Sequence, residues 1–360
     1  MAQSTDWMPC AADRLPAASR PRSMPPATIL CLTPVRNEAW ILECFLRCAS
    51  QWADQILVLD QASEDGSAEI AARFPKVRLL RNSSRAFDEP GRQRRLIAAA
   101  REVPGPRLLV ALDADEILAA STLTGAGWRS LRDLAPGTVV LGSWMNLRPG
   151  LASAWEEGPP RPLAVLDDGS EHHGLDIHSP RLPLPDGAPR IHAPEMVVLH
   201  YQYTAWDRML AKQRWYQCLE RLLHPDHHPI AVYRLYHHMH AVPAAQERQV
   251  RREWIAPYER QGIDLRPAAP PGPFWFDREI LDLIERHGAP AFARQAIWDE
   301  TDWRGLAARL GRGQTQRFAD PRSTAQRLVQ LWLERTQPRH RSRPIARVDA
   351  WLERAEWTRR

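Results

Sequence analysis

Four short apolar runs, separated by helix-like segments, organise the first third of the chain. The runs are ATILCLT (27–33), QILVLD (55–60), KVRLLRN (76–82) and RLLVALDADE (107–116). Runs of this length, bounded by turn residues, are typical of buried strands. The segments between them, 38–52, 67–74 and 89–103, have the residue spacing of helices. Asn37 stands where it could cap the first helix, and Pro90 lies near the start of the third.

This alternation of strands and helices predicts the fold class. Near-continuous apolar strands joined by helices require a parallel sheet that is covered on both faces. Ligands of such α/β sheets bind at the carboxyl ends of the strands. The polar residues of interest follow those ends: Thr33, Pro34, Arg36 and Glu38 after the first strand, Asp60 after the second, and the acids of 113–116 after the fourth.

The pattern changes after about residue 138. Strands are expected at TVVLGSWMNL (138–147) and EMVVLHYQY (195–203), with a shorter one at LAVLDD (163–168) in a Pro- and Gly-rich stretch. The segment 204–223 predicts a helix. Beyond about residue 240 the chain is rich in Trp and Arg, and we expect it to be helical.

Three carboxylates, Asp113, Asp115 and Glu116, close the fourth apolar run. Like charges at a strand end repel one another unless a cation neutralises them. A hard divalent cation binds oxygen ligands, and Mg²⁺ commonly takes one or two carboxylates together with substrate phosphates. The alternative is an ordinary polar junction between strand and loop. The position after the fourth strand of an α/β half favours the metal-diphosphate interpretation.

The stretches TPVRNEAWILECFLRCASQWADQILVLDQASEDGSAEIAARF, RQRRLIAAA and LLVALDADE resemble a family 2 glycosyltransferase with the GT-A fold, over about residues 30–120. The resemblance implies that Asp113 and Asp115 form a D-x-D motif that holds Mg²⁺ or Mn²⁺ on the diphosphate of a sugar nucleotide. It further implies donor contacts from Thr33, Pro34, Arg36, Glu38, Asp60 and Arg92. The second acid that often follows Asp60 in the family is Gln61 here.

The second half is similar to a subgroup that builds bacterial cell-surface polysaccharide or lipopolysaccharide core. DIHSPRLP (176–183) and VLHYQYTAWDRMLAKQRWYQ (198–217) carry this resemblance. It implies that His200 contacts the metal or the diphosphate. Lys212 matches the lysine of the subgroup's helix, and it either contacts the diphosphate as a point charge or is solvated. The subgroup has Glu after its first His, whereas this chain has Ser179. If that Glu is the general base, another carboxylate must act here, and Asp176 and Asp168 are the candidates.

Together these observations predict an α/β, GT-A (Rossmann-like), mostly parallel sheet flanked by helices, with a helical C-terminal extension. The expected organisation is a disordered leader (1–26), a GT-A domain (27–240) with a nucleotide-sugar half (27–120) and an acceptor half (121–240), and a helical region (241–360). The expected activity is metal-dependent, inverting transfer from a nucleoside-diphosphate sugar, with a UDP-sugar favoured, to a glycan or lipid-linked acceptor in cell-envelope synthesis.

Charge and composition narrow the expected location and partners. The formal net charge is +5, and Lys76 and Lys212 are the two lysines among 48 basic residues. No apolar run reaches the roughly 18 residues of a membrane span, and no signal-peptide pattern is present. We expect a cytoplasmic protein with a peripheral contact at the inner face of the membrane and no nucleic-acid partner. The alternatives are a nucleotidyltransferase, or an inactive GT-A-like binding module whose basic helical tail binds anionic membrane.

Overall fold

The computed structural model describes residues 25–156, 158–268 and 272–354. The predicted leader, 1–26, therefore lies almost entirely outside the described residues. The chain divides into two compact units. The first comprises Met1–Thr204 and Gln249–Ala268, and the second comprises Ala205–Arg248 and Ala269–Arg360.

Strands and helices alternate along the first unit as predicted. Up to Thr204 the elements are β1 (Thr28–Val35), α1 (Leu42–Ala49), β2 (Gln55–Gln61), α2 (Ser67–Ala72), β3 (Val77–Asn82), α3 (Glu89–Arg101), β4 (Arg107–Ala111), β5 (Glu116–Leu118), α4 (Ala120–Thr124), α5 (Ala126–Ser130), β6 (Val139–Leu147), β7 (Ser153–Glu156), β8 (Arg161–Leu166) and β9 (Arg190–His200). The later elements are α6 (Trp206–Leu223), α7 (Pro229–Tyr236), β10 (Glu247–Gln249), α8 (Arg252–Arg260), α9 (Trp275–His287), α10 (Trp303–Arg309), α11 (Thr324–Thr336) and α12 (Arg343–Arg354). Of these later helices, α8 belongs to the first unit.

The central sheet confirms the predicted fold class. Its strands follow the order β7-β6-β8-β4-β1-β2-β3, and β9 pairs with both β6 and β5. β1 runs parallel to β2 and β4, and β2 runs parallel to β3. β8 is antiparallel to β4, whereas β9 is parallel to β6. The first unit is therefore a mostly parallel α/β sheet flanked by helices.

Apolar side chains from the parallel strands and α3 form the core on one face of this sheet. Leu30, Leu57 and Leu109 come from three adjacent strands, and Leu96 and Ile97 come from α3; all five are buried. The near-continuous apolar runs follow from this arrangement, because helices cover both faces of a parallel sheet. Truncating a fully buried leucine such as Leu96 to alanine would cost about 2–5 kcal/mol.

The prediction that Asn37 caps α1 is wrong. The helix begins at Leu42, and the N-cap residue before it, Ile41, makes no side-chain capping hydrogen bond. Asn37 instead has a left-handed backbone (φ 55°), and its side-chain oxygen accepts the Glu64 N–H at 2.7 Å. Its own N–H donates to Ser63 Oγ at 2.9 Å. The residue therefore joins the loop after β1 to the loop after β2, and these two loops border the carboxyl edge of the sheet.

The second unit is helical, which confirms the predicted helical C-terminal region. Ile230, Tyr233, Leu333 and Leu352 form an apolar cluster between α7, α11 and α12. Arg234 donates to both oxygens of Asp349, and further to Gln337 and to the Leu333 carbonyl. This network satisfies a nearly buried charge and ties the same three helices together.

Two further properties of the described residues concern the helices and the cysteines. Within the described part of the chain, every helix is too short or too polar to cross a bilayer. Cys31, Cys44, Cys48 and Cys218 are buried free thiols. Burial raises the pKa of Cys31 to about 12, so this thiol is not a reactive one at neutral pH.

Candidate active site

The carboxyl ends of β1, β2 and β4 meet at one edge of the sheet. Val35 at the end of β1 is in register with Asp60 near the end of β2. On the other side of β1, the Leu112 N–H donates to the Leu32 carbonyl at 3.2 Å, so the chain after β4 continues beside β1. The structure therefore brings the segments after these three strands together. Thr33, Pro34, Asp60 and the 113–116 acids share this edge.

The three acids after β4 have different surroundings. Glu116 is buried, and its Oε1 accepts the Trp144 indole N–H at 2.8 Å. Its Oε2 accepts the backbone N–H of Asp113 at 3.0 Å. Asp115 is also buried, whereas the Asp113 side chain keeps about 32% of its surface exposed. The cluster is therefore not a set of three equivalent ligands.

Arg181 lies in the irregular connection 167–189 between β8 and β9, and it is ion-paired with two of these acids. One terminal nitrogen donates to Glu116 Oε2, and the other donates to Glu116 Oε1 at 2.9 Å and to Asp113 Oδ2 at 2.8 Å. Burial opposes the charge of Glu116, but the guanidinium outweighs it and holds the pKa of Glu116 below its ordinary value. The acids in turn hold the pKa of Arg181 above its ordinary value, against burial.

Asp115 is paired differently, and it faces His200. Asp115 Oδ2 is buried and has no hydrogen-bond partner among the described residues, and it lies 4.0 Å from His200 Nε2. The other imidazole nitrogen, Nδ1, lies 2.7 Å from Asn146 Oδ1. Because a carboxamide oxygen only accepts, Nδ1 carries the hydrogen of this bond, and the other ring nitrogen, Nε2, is the one that faces Asp115. This is the donor arrangement that a metal-binding His usually has.

These two side chains fit a divalent cation that is completed by substrate. No group of three His, Cys, Asp or Glu side chains converges as a metal site in residues 25–156, 158–268 and 272–354. Mg²⁺ sites commonly use one or two protein carboxylates plus phosphate oxygens and water, so a full protein shell is not required. Three ligands were predicted: Asp113, Asp115 and His200. In the structure Asp115 and His200 face each other, whereas Asp113 is ion-paired with Arg181.

Strand β2 ends with one acid, Asp60, and one amide, Gln61. Asp60 is buried, its Oδ2 lies 4.0 Å from Arg81, and its Oδ1 has no hydrogen-bond partner in the described residues. Gln61 is also buried and donates its amide N–H to the Ala86 carbonyl at 2.7 Å. A second acid at position 61 would lose this bond, because a carboxylate cannot donate. Asp60 thus remains the acceptor at this strand end.

The other predicted donor residues after β1 lie around the same edge. Thr33 is fully buried, and its hydroxyl contacts Cys31 Sγ at 3.5 Å. Arg36 donates to the Arg85 carbonyl at 3.1 Å, which ties the loop after β1 to the loop after β3. Glu38 accepts the Trp40 indole N–H at 2.6 Å. Pro34 lies near the end of β1, and the loop that follows this strand is held by these side-chain bonds.

Arg92 lies in the first turn of α3, where it joins the connection 167–189 indirectly. Its terminal nitrogen donates to Glu89 Oε1 at 3.2 Å, and Glu89 Oε2 accepts the backbone N–H of Ser179 at 2.8 Å. Glu89 is buried. The buried carboxylate of Glu89 therefore lies directly beside Ser179, the position at which the resembled subgroup has Glu.

The two carboxylates predicted as general base lie at different places. Asp167, next to Asp168, donates its backbone N–H to the Arg107 carbonyl, at the start of β4. Since β8 is antiparallel to β4, Asp168 is at the opposite edge of the sheet from Asp113, roughly 20 Å away along β4. Asp168 Oδ1 accepts the Ser170 N–H at 2.9 Å. Asp176 is exposed, and it lies in the part of the connection that includes Ser179.

Lys212 belongs to α6 of the second unit. Tyr201 and Tyr203 belong to the first unit and are buried. The Tyr203 ring meets His200 edge to face, with ring centroids 5.7 Å apart. This packing further restricts the imidazole, which Asn146 already orients.

Several residues of the site were not identified from the sequence. Arg181 lies in a segment without periodicity, and its partners are more than 60 residues away. Asn146 is a fully buried amide in an otherwise apolar strand, and that pattern was a usable signal because buried amides need partners. Trp144, two residues earlier, reaches the site through its indole N–H, which donates to Glu116.

Comparison with known proteins agrees with this geometry. Residues 31–126 match the family model described as Glycosyl transferase family 2. The matched residues begin within β1 and include β2, β3 and β4. This part of the chain is therefore similar to family 2 glycosyltransferases. No curated protein matches the chain significantly.

Solved structures with a similar arrangement are distant in sequence. GalNAc-T7 with UDP, GalNAc and Mn²⁺ is 14% identical over 49% of this chain and 44% of that one, with a TM-score of 0.35. 4-Diphosphocytidyl-2C-methyl-D-erythritol synthase is 12% identical over 48% and 90%, with a TM-score of 0.31. Glucosyl-3-phosphoglycerate synthase from Mycobacterium tuberculosis, with Mn²⁺, UDP-glucose and phosphoglyceric acid, is 19% identical over 34% and 44%, with a TM-score of 0.26. This chain thus spans less than half the length of the first of these proteins.

Proposed function

We propose that this protein is a glycosyltransferase that uses a nucleoside-diphosphate sugar together with Mg²⁺ or Mn²⁺, and that Asp115 and His200 hold the metal. The observation that carries the proposal is the buried Asp115 Oδ2, which has no hydrogen-bond partner among the described residues and lies 4.0 Å from Nε2 of a His200 whose other ring nitrogen contacts Asn146. A divalent cation there would neutralise charge on the diphosphate leaving group. Asp113 lies two residues before Asp115, but its carboxylate is ion-paired with Arg181.

Asp60 is the proposed contact to the nucleotide base. A buried carboxylate oxygen without a partner is costly unless a ligand donates to it. The imide N–H of uracil is such a donor, and the N–H groups of guanine are others. The position of Asp60, in register with the end of β1, puts this acceptor at the same edge as the acids after β4. A UDP-sugar is therefore the favoured donor, with a GDP-sugar second.

Asp176 is the proposed general base of an inverting transfer. The exposed position of Asp176 leaves its carboxylate open to an acceptor hydroxyl. Ser179 and Arg181 follow within five residues, and their bonds reach Glu89 and the acids after β4. Asp168 is disfavoured as the general base, because it lies near the start of β4 whereas those acids follow the end of β4. A positioned carboxylate base contributes roughly 10²–10⁴ in rate.

A thermal-shift experiment tests the donor and metal sites. UDP, GDP, CDP and dTDP are each added with Mn²⁺, Mg²⁺ or EDTA, since a ligand that binds the folded state raises its apparent stability. We expect one nucleotide to give a metal-dependent shift, and Asp115→Asn to remove it. Asp167→Asn is the matched control, because Asp167 is an equally buried acid at the opposite edge of the sheet. A shift that persists in Asp115→Asn would overturn the proposed metal site.

The acceptor is proposed to be a glycan or a lipid-linked sugar of the cell envelope, reached at an anionic membrane. Helix α12 supports the membrane contact. Trp351 is 61% exposed and Val348 is 37% exposed, and Arg347 and Arg354 have the helical spacing that puts them on the same face. An exposed aromatic flanked by arginines suits a membrane interface, and each arginine near anionic lipid contributes about 1 kcal/mol.

Vesicle sedimentation tests this contact. Phosphatidylcholine vesicles with phosphatidylglycerol should pellet the protein at low salt, whereas phosphatidylcholine alone or high salt should not. Trp351→Ala should weaken the sedimentation several-fold. Leu175→Ala is the control, because Leu175 is an exposed apolar residue of the first unit with 60% of its surface accessible. Equal sedimentation of both variants and the wild type would remove α12 as the contact.

A further inference from the structure

Arg181 has hydrogen-bonding capacity that its protein partners do not use. A guanidinium has five N–H donors, and Arg181 makes three hydrogen bonds to Glu116 and Asp113. Two N–H groups are therefore left over among the described residues. The side chain keeps 27% of its surface exposed, so it is not fully enclosed by its protein partners.

The position of this guanidinium is fixed from both sides of the chain. Two residues before it, the Ser179 N–H donates to buried Glu89, and the Pro180 carbonyl contacts His172 Nε2 at 2.6 Å. Directly after it, Leu182 is buried in the apolar core that α3 forms on the sheet. The backbone around Arg181 is thus anchored although the connection 167–189 has no regular secondary structure. The cation is in place before any ligand binds, which lowers the entropic cost of binding.

The charges divide between Arg181 and the proposed metal. Asp113, Asp115 and Glu116 carry three negative charges, and Arg181 supplies one positive charge to Asp113 and Glu116. Asp115 and Asp113 are two residues apart, so their Cα atoms are at most about 7 Å apart. A diphosphate that binds a metal at Asp115 therefore extends within reach of Arg181. A planar guanidinium fork also matches phosphate oxygens better than an ammonium does.

We propose that Arg181 is a diphosphate-binding residue of the donor site, which contacts the phosphate oxygens through the N–H groups that Asp113 and Glu116 leave unused. The inference rests on the proposed function, because it requires a nucleoside diphosphate at this edge. It assigns the irregular connection 167–189 to the donor site as well as to the acceptor side. Arg181 and the metal then act on the same diphosphate from two fixed positions.

The test compares Arg181→Lys with Arg107→Lys. Both arginines donate two N–H groups to a buried carboxylate; Arg107 donates both to Asp167 Oδ2, at the opposite edge of the sheet. Calorimetry measures the affinity for UDP, or for whichever nucleoside diphosphate the wild type binds, in the presence of Mn²⁺. Arg181→Lys should weaken nucleotide binding at least tenfold, while Arg107→Lys should stay within twofold. Wild-type nucleotide affinity in Arg181→Lys would overturn the inference.

A second variant separates ligand contact from structural support. In Arg181→Gln the acids lose their internal cation, so Mn²⁺ alone, measured by electron paramagnetic resonance, should bind more tightly while the nucleotide binds more weakly. A purely structural role would weaken both, and that result would refute the inference. If the wild type binds none of the four nucleoside diphosphates, the proposed function fails, and the assignment of Arg181 fails with it.

Discussion

Asn146 offers a sharp test of the metal site, because it touches the proposed ligand and not the metal. It is fully buried, and its Oδ1 accepts the His200 Nδ1–H at 2.7 Å. The two residues are also in register on β6 and β9. Asn146→Ala leaves Asp115 and His200 in place but removes the acceptor that fixes the tautomer and the ring orientation. We expect Mn²⁺ binding to weaken while both ligands are retained.

The magnitude follows from this single contact. Removing a residue that orients a metal-binding His typically costs 10- to 100-fold in metal affinity, which corresponds to about 1.4–2.8 kcal/mol. The imidazole N–H is also left without its acceptor in a buried site, which costs about 1–3 kcal/mol of folding stability. Mn²⁺ affinity is measured by electron paramagnetic resonance with the bound nucleoside diphosphate present. Stability is measured by urea unfolding without metal.

Two control variants make the result specific. Asn146→Asp keeps an acceptor at the same place, so Mn²⁺ affinity should stay within about threefold of wild type if the hydrogen bond is the cause. Asn82→Ala removes an amide whose oxygen accepts the Ser84 N–H at the end of β3, and it should leave Mn²⁺ affinity unchanged. Wild-type Mn²⁺ affinity in Asn146→Ala would refute the assignment of His200 as a metal ligand.

Three further outcomes follow from the described contacts. Trp144→Phe removes the indole N–H bond to buried Glu116 and should lower the free energy of unfolding by about 1–3 kcal/mol in urea titration; a loss below about 0.5 kcal/mol would contradict that. Asp115→Asn removes a buried charge without a hydrogen-bond partner on Oδ2 and should raise metal-free stability at pH 8 by at least about 1 kcal/mol; a lower stability would contradict that. Burial lowers the pKa of His237 to about 4, below its ordinary 6.5, so the unfolded chain binds the extra proton between these values. The stability from neutral His237 should therefore be complete above pH 6.5 and fall by about 1.4 kcal/mol per pH unit toward pH 4, and His237→Phe should lack this slope.

The donor edge could be predicted because it depends on local pattern and one topological rule. Four apolar runs separated by helices fix parallel neighbours, and parallel neighbours end at the same edge. Asp60 and Asp113 therefore lie at the same edge although more than 50 residues separate them, and the structure shows the required register on both sides of β1. The chemistry of each strand end was visible in the sequence as soon as the strand direction was certain.

The position of Asp168 could not be predicted in the same way. The run LAVLDD indicates a strand, but it does not say whether that strand runs parallel or antiparallel to its neighbour. β8 pairs antiparallel with β4, so its carboxyl end lies beside Arg107 at the start of β4. Asp167 there accepts from Arg101 and Arg107 and is a structural anchor. An acid at a strand end is informative only when the strand direction is known.

The contacts of Arg181 could not be predicted from the sequence, for a different reason. Its position depends on the path of a 23-residue connection without secondary structure, and on Glu89 and Leu182 as anchors. Sequence spacing carries no information about such a path. Among many arginines in a chain of net charge +5, no local feature distinguishes this one.

The three acids after β4 can now be separated by what balances each charge. The charge of Glu116 is balanced by Arg181, and a further hydrogen bond comes from the Trp144 indole N–H. Glu116 therefore holds the connection 167–189 against the sheet and needs no ligand. Asp113 shares that cation and remains partly exposed. Asp115 is buried, and no cation of the first unit lies within hydrogen-bonding distance of its Oδ2 in the described residues. His200 Nε2 lies 4.0 Å from this oxygen, and a buried carboxylate without a hydrogen-bond partner destabilises the fold, so Asp115 is the acid whose charge the proposed metal would balance.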